Sequence, residues 1–266
     1  MRTQVFRQLN DGTPFIRPLF FDFGAVDVAS SIGTQYMFGP SIISCPGQDY
    51  STYYFPNNNK TWWCTVRGGL SMNSVCFNDT PSNATDGKQN VFMHEGTITP
   101  LYSYTMSPSW NLSRSDDLMQ SANYSLDLHV FNDFQVSGSY GELLIDGPDA
   151  QDKYLQFCYL GLRMTDNVLT VEDLTDYKGG SPSAKCSEFR GYDLKYIYVY
   201  DPRFANATTA FRTGSINNQI NITYVEAMSD PNVGAFRVEP YGATGATSIH
   251  IFNIQNVTFA ASPAPV

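Results

Sequence analysis

Acidic side chains offer the first chemistry to weigh. Asp146, Asp149 and Asp152 fall within the run Asp146-Gly147-Pro148-Asp149-Ala150-Gln151-Asp152, and three acids this close can ligate calcium or act as an acid/base pair. The same run contains Asp-Gly and Gly-Pro, which are strong turn dipeptides, and it lacks the oxygen spacing of an EF-hand loop, so a hairpin turn is the preferred reading. Asp116 and Asp117 are neighbours along the chain; their side chains diverge, as in a solvated loop. The histidines His94, His129 and His250 stand in no metal-ligand spacing and read as strand residues. There is no Gly-x-Ser-x-Gly for a nucleophilic serine, and Gly68-Gly69 and Gly179-Gly180 are too short for phosphate loops. The aromatic stretch Tyr192 to Tyr200 has the flat rings of a sugar-stacking platform, yet half-buried strands use the same residues, and core packing is the simpler account. No metal, no cofactor and no self-contained catalytic set is expected.

Two other residue classes speak to the compartment. Asn-x-Ser/Thr acceptors occur at Asn59, Asn78, Asn83, Asn111, Asn123, Asn206, Asn221 and Asn256, a density that suits glycosylation in the secretory pathway. The five cysteines, Cys45, Cys64, Cys76, Cys158 and Cys186, have no C-x-x-C spacing and suit local disulfides. Cys64 with Cys76 and Cys158 with Cys186 are the expected pairs, against the alternative that all are reduced core thiols; Cys45, in an apolar run, is left as the odd buried thiol. An extracellular or lysosomal/vacuolar location follows. With 16 Lys plus Arg against 25 Asp plus Glu the net charge is -9, which repels nucleic acid, and no apolar run is long enough for a membrane span.

These side chains must be carried by strands. Phe, Tyr and Trp make up 14% of the 266 residues, ample for burial in more than one core. Residues from Met1 to about Asn10 are amphipathic and end at Asn10-Asp11-Gly12, a helix stop. Met1 to Arg7 has no apolar leader, so the chain reads as part of something longer. Pro14 to Phe23 is nearly continuous in apolar residues, as in a strand covered on both faces, and its sheet neighbours are expected outside this polypeptide. After Gly24 short β-branched and aromatic runs alternate with Gly, Pro, Asn and Asp clusters, at Gln35–Met37, Ser41–Ser44, Thr52–Phe55, Thr61–Val66 and Val91–His94. Thr80 to Asn90 reads as an exposed loop. A second set runs through Tyr124–Val130, Gly141–Asp146, Tyr154–Leu162, Val168–Val171, Leu194–Tyr200, Ile220–Val225, Gly234–Val238 and Ser248–Phe259. Alternation in Leu194–Tyr200 puts Tyr196, Tyr198 and Tyr200 on one face and Lys195, Ile197 and Val199 on the other.

Read in order, Gly12-Thr13-Pro14-Phe15-Ile16-Arg17-Pro18-Leu19-Phe20-Phe21-Asp22-Phe23 and Ile32-Gly33-Thr34-Gln35-Tyr36-Met37-Phe38-Gly39-Pro40-Ser41-Ile42-Ile43 strongly resemble glycoside hydrolase family 31, the α-glucosidase family. Tyr53-Tyr54-Phe55-Pro56 and Thr61-Trp62-Trp63 look like the surface strand and Trp-containing turn that follow there. His94-Glu95-Gly96-Thr97-Ile98-Thr99-Pro100 is similar to the family's Arg-Gly-Gly-x-Ile-x-Pro, and Ser139-Tyr140-Gly141-Glu142-Leu143-Leu144-Ile145-Asp146-Gly147 to its Gly-Glu-Leu-aromatic-x-Asp-Asp-Gly. His94-Glu95 in place of Arg-Gly and the missing Asp before Gly147 are departures.

The resemblance implies an all-β chain of two β-sandwich domains preceded by a short helix-strand remnant of a (β/α)8 barrel. Its divisions would be the remnant at 1–23, a proximal sandwich at 24–105, a distal sandwich at 106–259 and a disordered tail at 260–266. Phe21 and Asp22 would sit on the pocket rim of the last barrel strand. The family's nucleophile and acid/base carboxylates lie on earlier strands and have no counterpart here, so no catalytic residue is assigned. The implied partner is a catalytic (β/α)8 barrel, in the same precursor or as a separate chain, with carbohydrate met only indirectly. The implied function is to support the barrel that hydrolyses α-glucosidic bonds. The alternative is a non-catalytic extracellular structural or carbohydrate-binding module descended from such an enzyme.

Overall fold

The computed structural model describes residues 2–24, 27–46, 53–56, 63–65, 76–77, 91–102, 125–133, 138–146, 157–166, 168–175, 193–201, 209–212, 221–228, 235–240, 249–250 and 256–260. The chain is an all-β protein, with three short helices among the described residues. The leading amphipathic segment is helix α1 (Arg2–Asp11), which ends where Gly12 takes φ 75 and its N–H reaches the Gln8 carbonyl at 2.9 Å.

The Pro14 to Phe23 run departs from expectation. Only β1 (Ile16–Pro18) is extended, and it pairs antiparallel with β2 (Tyr36–Phe38) of its own chain, Arg17 facing Met37. Leu19–Phe23 is helix α2. Periodicity cannot separate a buried strand from a short buried helix when every position is apolar, and here polar groups decide. Arg17 is 6% exposed and grips Asp22 through Nε at 2.8 and 2.9 Å and through a terminal nitrogen at 2.8 Å, while also donating to the Pro14 carbonyl at 3.0 Å. That fork spans five residues, a reach that a helical turn closes and an extended strand does not. Leu19 is fully buried, whereas Ile16, Phe20 and Phe21 are 50%, 47% and 53% exposed, so the run is not enclosed by its own chain.

β1 heads a six-stranded sheet in the order β1, β2, β3 (Ile42–Ser44), β6 (Val91–His94), β4 (Trp63–Thr65), β5 (Cys76–Phe77). Its core packs Leu19 of α2 and Ala29 of α3 (Asp27–Ser31) with Met37, Ile43, Cys45, Phe55, Trp63 and Phe92. The strand expected at Thr52–Phe55 is not a strand where it is described. Tyr53 and Phe55 are buried, but the backbone of Tyr54 pairs with a side chain instead of a neighbour: Gln35 Nε2 donates to the Tyr54 carbonyl (2.9 Å), and the Tyr54 N–H donates to Gln35 Oε1 (2.8 Å). The buried Gln35 amide thus stands in for a peptide group.

The second sheet has eleven strands, β15 (Ala235–Pro240), β14 (Asn221–Met228), β13 (Thr209–Arg212), β17 (Asn256–Ala260), β11 (Val168–Asp173), β10 (Phe157–Thr165), β9 (Gly138–Asp146), β7 (Thr97–Tyr102), β8 (Ser125–Phe131), β12 (Asp193–Tyr200) and β16 (Ile249–His250) in spatial order. β12 also pairs with β15, which closes the sheet on itself and leaves β16 as a side branch. Closure removes most exposed edges. β6 belongs to the first sheet and β7 to the second, so sheet membership changes across Glu95-Gly96. Gly96, at φ 79, makes that turn. The antiparallel β9–β10 pair, Asp146 opposite Phe157, has the form of a hairpin; Gly147 to Asp152 lie outside the described residues, as do Thr80 to Asn90, Asp116-Asp117, Gly68-Gly69 and Gly179-Gly180. Ala260 still belongs to β17, opposite Thr209, and residues 261–266 lie outside the described set.

β8 is buried along both faces, from Leu126 to Phe131. Its His129 ring stacks between Tyr198 (4.7 Å) and Tyr200 (6.0 Å), with Nδ1 at 3.0 Å from the Tyr200 hydroxyl. Burial lowers its pKa to about 4. In the unfolded chain His129 takes up its proton near pH 6.5, and in the fold only near 4, so stability is complete above about pH 6.5 and falls as pH drops through that window. Between pH 7 and pH 5 the loss attributable to His129 is expected to be about 2 kcal/mol. Urea midpoints of wild type and His129→Phe at the two pH values check this: the variant loses this component of the pH slope, and an unchanged slope refutes the assignment.

Candidate functional site

The residues expected at a pocket rim, Phe21 and Asp22, sit on α2. Asp22 is committed to Arg17, whose guanidinium also lies 5.9 Å from the Phe21 ring centre. The fork presents Phe21 outward beside Phe20, with Ile16 and Val28 also exposed. This is an apolar surface with a polar hinge, and the Asp22 carboxylate in it is held by Arg17, whereas acid/base hydrolysis needs two opposed carboxyl groups.

A second arrangement was not anticipated. α1 lies against β9, where Thr3 Oγ1 accepts from the Leu144 N–H at 3.0 Å and Arg7 Nε meets Glu142 Oε2 at 3.3 Å. Glu142 is a hub: Oε1 accepts from the Tyr140 hydroxyl at 2.8 Å, and Oε2 accepts from the Tyr159 hydroxyl of β10. Burial pushes the Tyr140 phenol up to about 12, helped by its bond to Glu142, and raises Tyr159 for the same reasons. Both phenols therefore stay protonated and donate, and the carboxylate is a fixed acceptor. Alternation along β9 puts residues 140 and 142 on one face, a legible signal; their meeting with Arg7, 135 positions away, was not.

The hub borders a crevice of about 290 Å³ between α1, the β2–β3 turn and the β6–β7 turn. Thr3, Gln4 and Arg7 of α1 line it together with Phe38, Pro40, Ile98, Leu101, Tyr140 and Glu142, and the Gln4 side chain lies against Gly39. His94 lies at its wall with Nδ1 2.6 Å from the Glu95 carbonyl and Nε2 2.8 Å from the Pro40 carbonyl; the nitrogen that carries the proton donates to its carbonyl. Among the described residues Glu142 is the only acid on the lining.

Among the other expected sites, His250 pairs through its backbone with Asp193 on β12, and the described residues hold no group of three or more His, Cys, Asp or Glu arranged for a metal. Asn221 and Asn256 open β14 and β17; Asn59, Asn78, Asn83, Asn111, Asn123 and Asn206 lie outside the described residues. Cys158 is buried and disulfide-bonded, Cys186 lies outside the described residues, and the β4–β5 register places Cys64 opposite Cys76. Cys45 is a free, buried thiol that accepts from Gln35 Nε2 at 3.2 Å and is pushed up to about 12 by burial. No described helix is long and apolar enough to cross a membrane.

Residues 12–99 match the family model described as the glycosyl hydrolase family 31 C-terminal domain. The chain is 29% identical over 133 residues to an uncharacterized family 31 glucosidase of Schizosaccharomyces pombe, an alignment covering 48% of this chain and 13% of that protein. Among solved structures it is similar to the glucosidase II alpha subunit, with a TM-score of 0.62 at 18% identity, over 97% of this chain and 27% of that one. It is also similar to a Flavobacterium johnsoniae GH31 dextranase, with a TM-score of 0.53 at 14% identity, over 97% of this chain and 30% of the dextranase. The chain therefore spans less than a third of the length of each.

Proposed function

We propose a supporting, non-catalytic role, from the premise that this chain is a C-terminal portion of glycosyl hydrolase family 31, whose C-terminal domain it carries over residues 12–99. Its task is to seat a catalytic (β/α)8 barrel that hydrolyses α-glucosidic bonds, in the same precursor or as a separate chain. The observation that carries this reading is the exposed apolar face of β1, α2 and α3, with Ile16, Phe20, Phe21 and Val28 each near half exposed. Aromatic surface of this kind gains free energy when covered. No glycosylation acceptor precedes Asn59, so the face is free of sugar chains attached within its own segment, as a protein contact requires.

Residues 1–23 are then barrel-derived, and the two sheets are the proximal and distal sandwiches; the change of sheet at Glu95-Gly96 supports a division earlier than residue 105. The sequons and the disulfide-bonded Cys158 support passage through the secretory pathway to an extracellular or lysosomal/vacuolar location. The opposed register of Cys64 and Cys76 supports their pairing, and Cys186 is the partner proposed for Cys158.

Two measurements test the role. The purified 266-residue chain is expected to show no turnover of an aryl α-glucoside. Joined to a family 31 barrel it is expected to raise the barrel's melting temperature, and Phe20→Ser/Phe21→Ser is expected to abolish most of that gain while shifting the chain's own stability by no more than about 1 kcal/mol. Turnover by the chain alone, or undiminished barrel stabilisation by the double variant, overturns the proposal.

A further inference from the structure

We infer that the crevice under α1 is a binding site for one neutral pyranose ring. It goes beyond the supporting role and does not rest on it, because every wall of the crevice belongs to this chain.

Size is the first constraint. At about 290 Å³ the space lies at the lower edge of the roughly 300 Å³ from which small-molecule sites begin, room for a single ring and not for a chain of them. Charge is the second. The Glu142 carboxylate is held by Arg7 and two tyrosine hydroxyls, so the site is compensated internally. An anionic ligand meets Glu142 and a cationic one meets Arg7, each at a desolvation cost that a neutral ligand avoids.

Uncommitted hydrogen-bonding groups are the third. Arg7 Nε stands 3.3 Å from Glu142 and 4.0 Å from Asp11; among the described residues, neither its terminal amino groups nor the Gln4 side-chain amide makes a hydrogen bond. Other polar groups on the lining are spent: Thr3 on Leu144, Thr97 on the His94 carbonyl, and Thr99 on Ser41. The Arg7 and Gln4 donors come from α1, with the Gln4 amide lying against Gly39 between Phe38 and Pro40, and they share the lining with the apolar Ile98 and Leu101 and with Tyr140, which is 41% exposed. A ligand that fits has one apolar face and a hydroxyl-bearing edge with both donors and acceptors. That is the surface of a pyranose, and aromatic rims take its C–H face.

Saturation-transfer NMR on the 266-residue chain, with methyl α-glucoside as the probe, tests the assignment. Binding in the millimolar range is expected. Arg7→Met keeps the packing stem and removes the donors, and Gln4→Leu removes the amide at similar volume; each is expected to weaken binding about tenfold or more. Leu9→Ser, 80% exposed on the same helix, leaves it unchanged, and glucuronate and glucosamine bind less well than the neutral probe. No transfer from the neutral probe overturns the proposal, as does transfer that survives Gln4→Leu, a variant that spares the Arg7–Glu142 tie and the fold it secures. Melting curves of each variant separate a lost site from a lost helix dock. None of these readings involves a barrel, so they stand or fall apart from the test of the supporting role.

Discussion

Gly141→Ala is expected to destabilise the chain by about 3 kcal/mol or more, enough to unfold a marginal domain. A Cβ built at Gly141 overlaps the Ile98 carbonyl oxygen and stands 2.8 Å from its carbon. Both are backbone atoms and cannot rotate away. The reason lies in how β7 and β9 meet: they share one parallel pair, Thr97 opposite Tyr140, with the Tyr140 N–H on the Gly96 carbonyl at 3.1 Å, and the next residue of β9 passes directly over β7. Any side chain there forces the two strands apart. Because β7 and β9 are consecutive in the closed sheet, parting them opens it, and Glu142 beside the glycine would lose its position against Arg7. Gly33→Ala is the control, since nothing lies within 4 Å of the added carbon, and a shift within about 0.5 kcal/mol is expected. Urea midpoints for the two variants decide the matter; equal stabilities mean that the strands do not cross as closely as described.

The strands most easily read in the sequence are those whose neighbours alternate with turn residues. β2, β3, β6, β8, β9, β10 and β11 fall where β-branched and aromatic runs announce them. The failures have identifiable causes. Leu19–Phe23 was expected as strand because a fully apolar run carries no period, and only the Arg17–Asp22 fork, a tertiary feature of two polar residues, betrays the turn. Alternation in Leu194–Tyr200 puts Tyr198 and Tyr200 on one face, and both rings stack with His129 of β8; the pattern does not show burial, and Ile197, Val199 and Tyr200 are buried on both faces of β12. β5 and β13, two and four residues long, lie in Asn- and Ser-rich or Thr-rich stretches and pair by position more than by propensity. At the crevice, Tyr140 and Glu142 were within reach of strand periodicity, whereas Arg7 and Gln4 arrive from the far end of the chain. Such a juxtaposition is made by the sheet order and has no local signature.

Trp63→Ala is the second large effect, expected to cost about 3–5 kcal/mol, the range for removing a buried aromatic and leaving its cavity. Trp63 is fully buried on β4, and its ring centre stands 5.8 Å from Phe55, 5.1 Å from His94 and 6.3 Å from Phe23. The Nε1–H reaches the Pro56 carbonyl only at 3.4 Å, a long bond that contributes little, so Trp63→Phe is expected to recover most of the loss through packing alone. The consequence extends beyond global stability. Phe23 ends α2, and with Leu19 it holds the helix to the core on which Phe20 and Phe21 are displayed. Removing Trp63 takes away the ring against which Phe23 packs, so α2 is expected to be cleaved by limited proteolysis faster than the second sheet, none of whose described strands supplies a residue to that cluster. If Trp63→Ala exposes both sheets to protease at one rate, the two cores unfold as a single cooperative unit, and the first sheet cannot be treated as an independent seat for the α2 face.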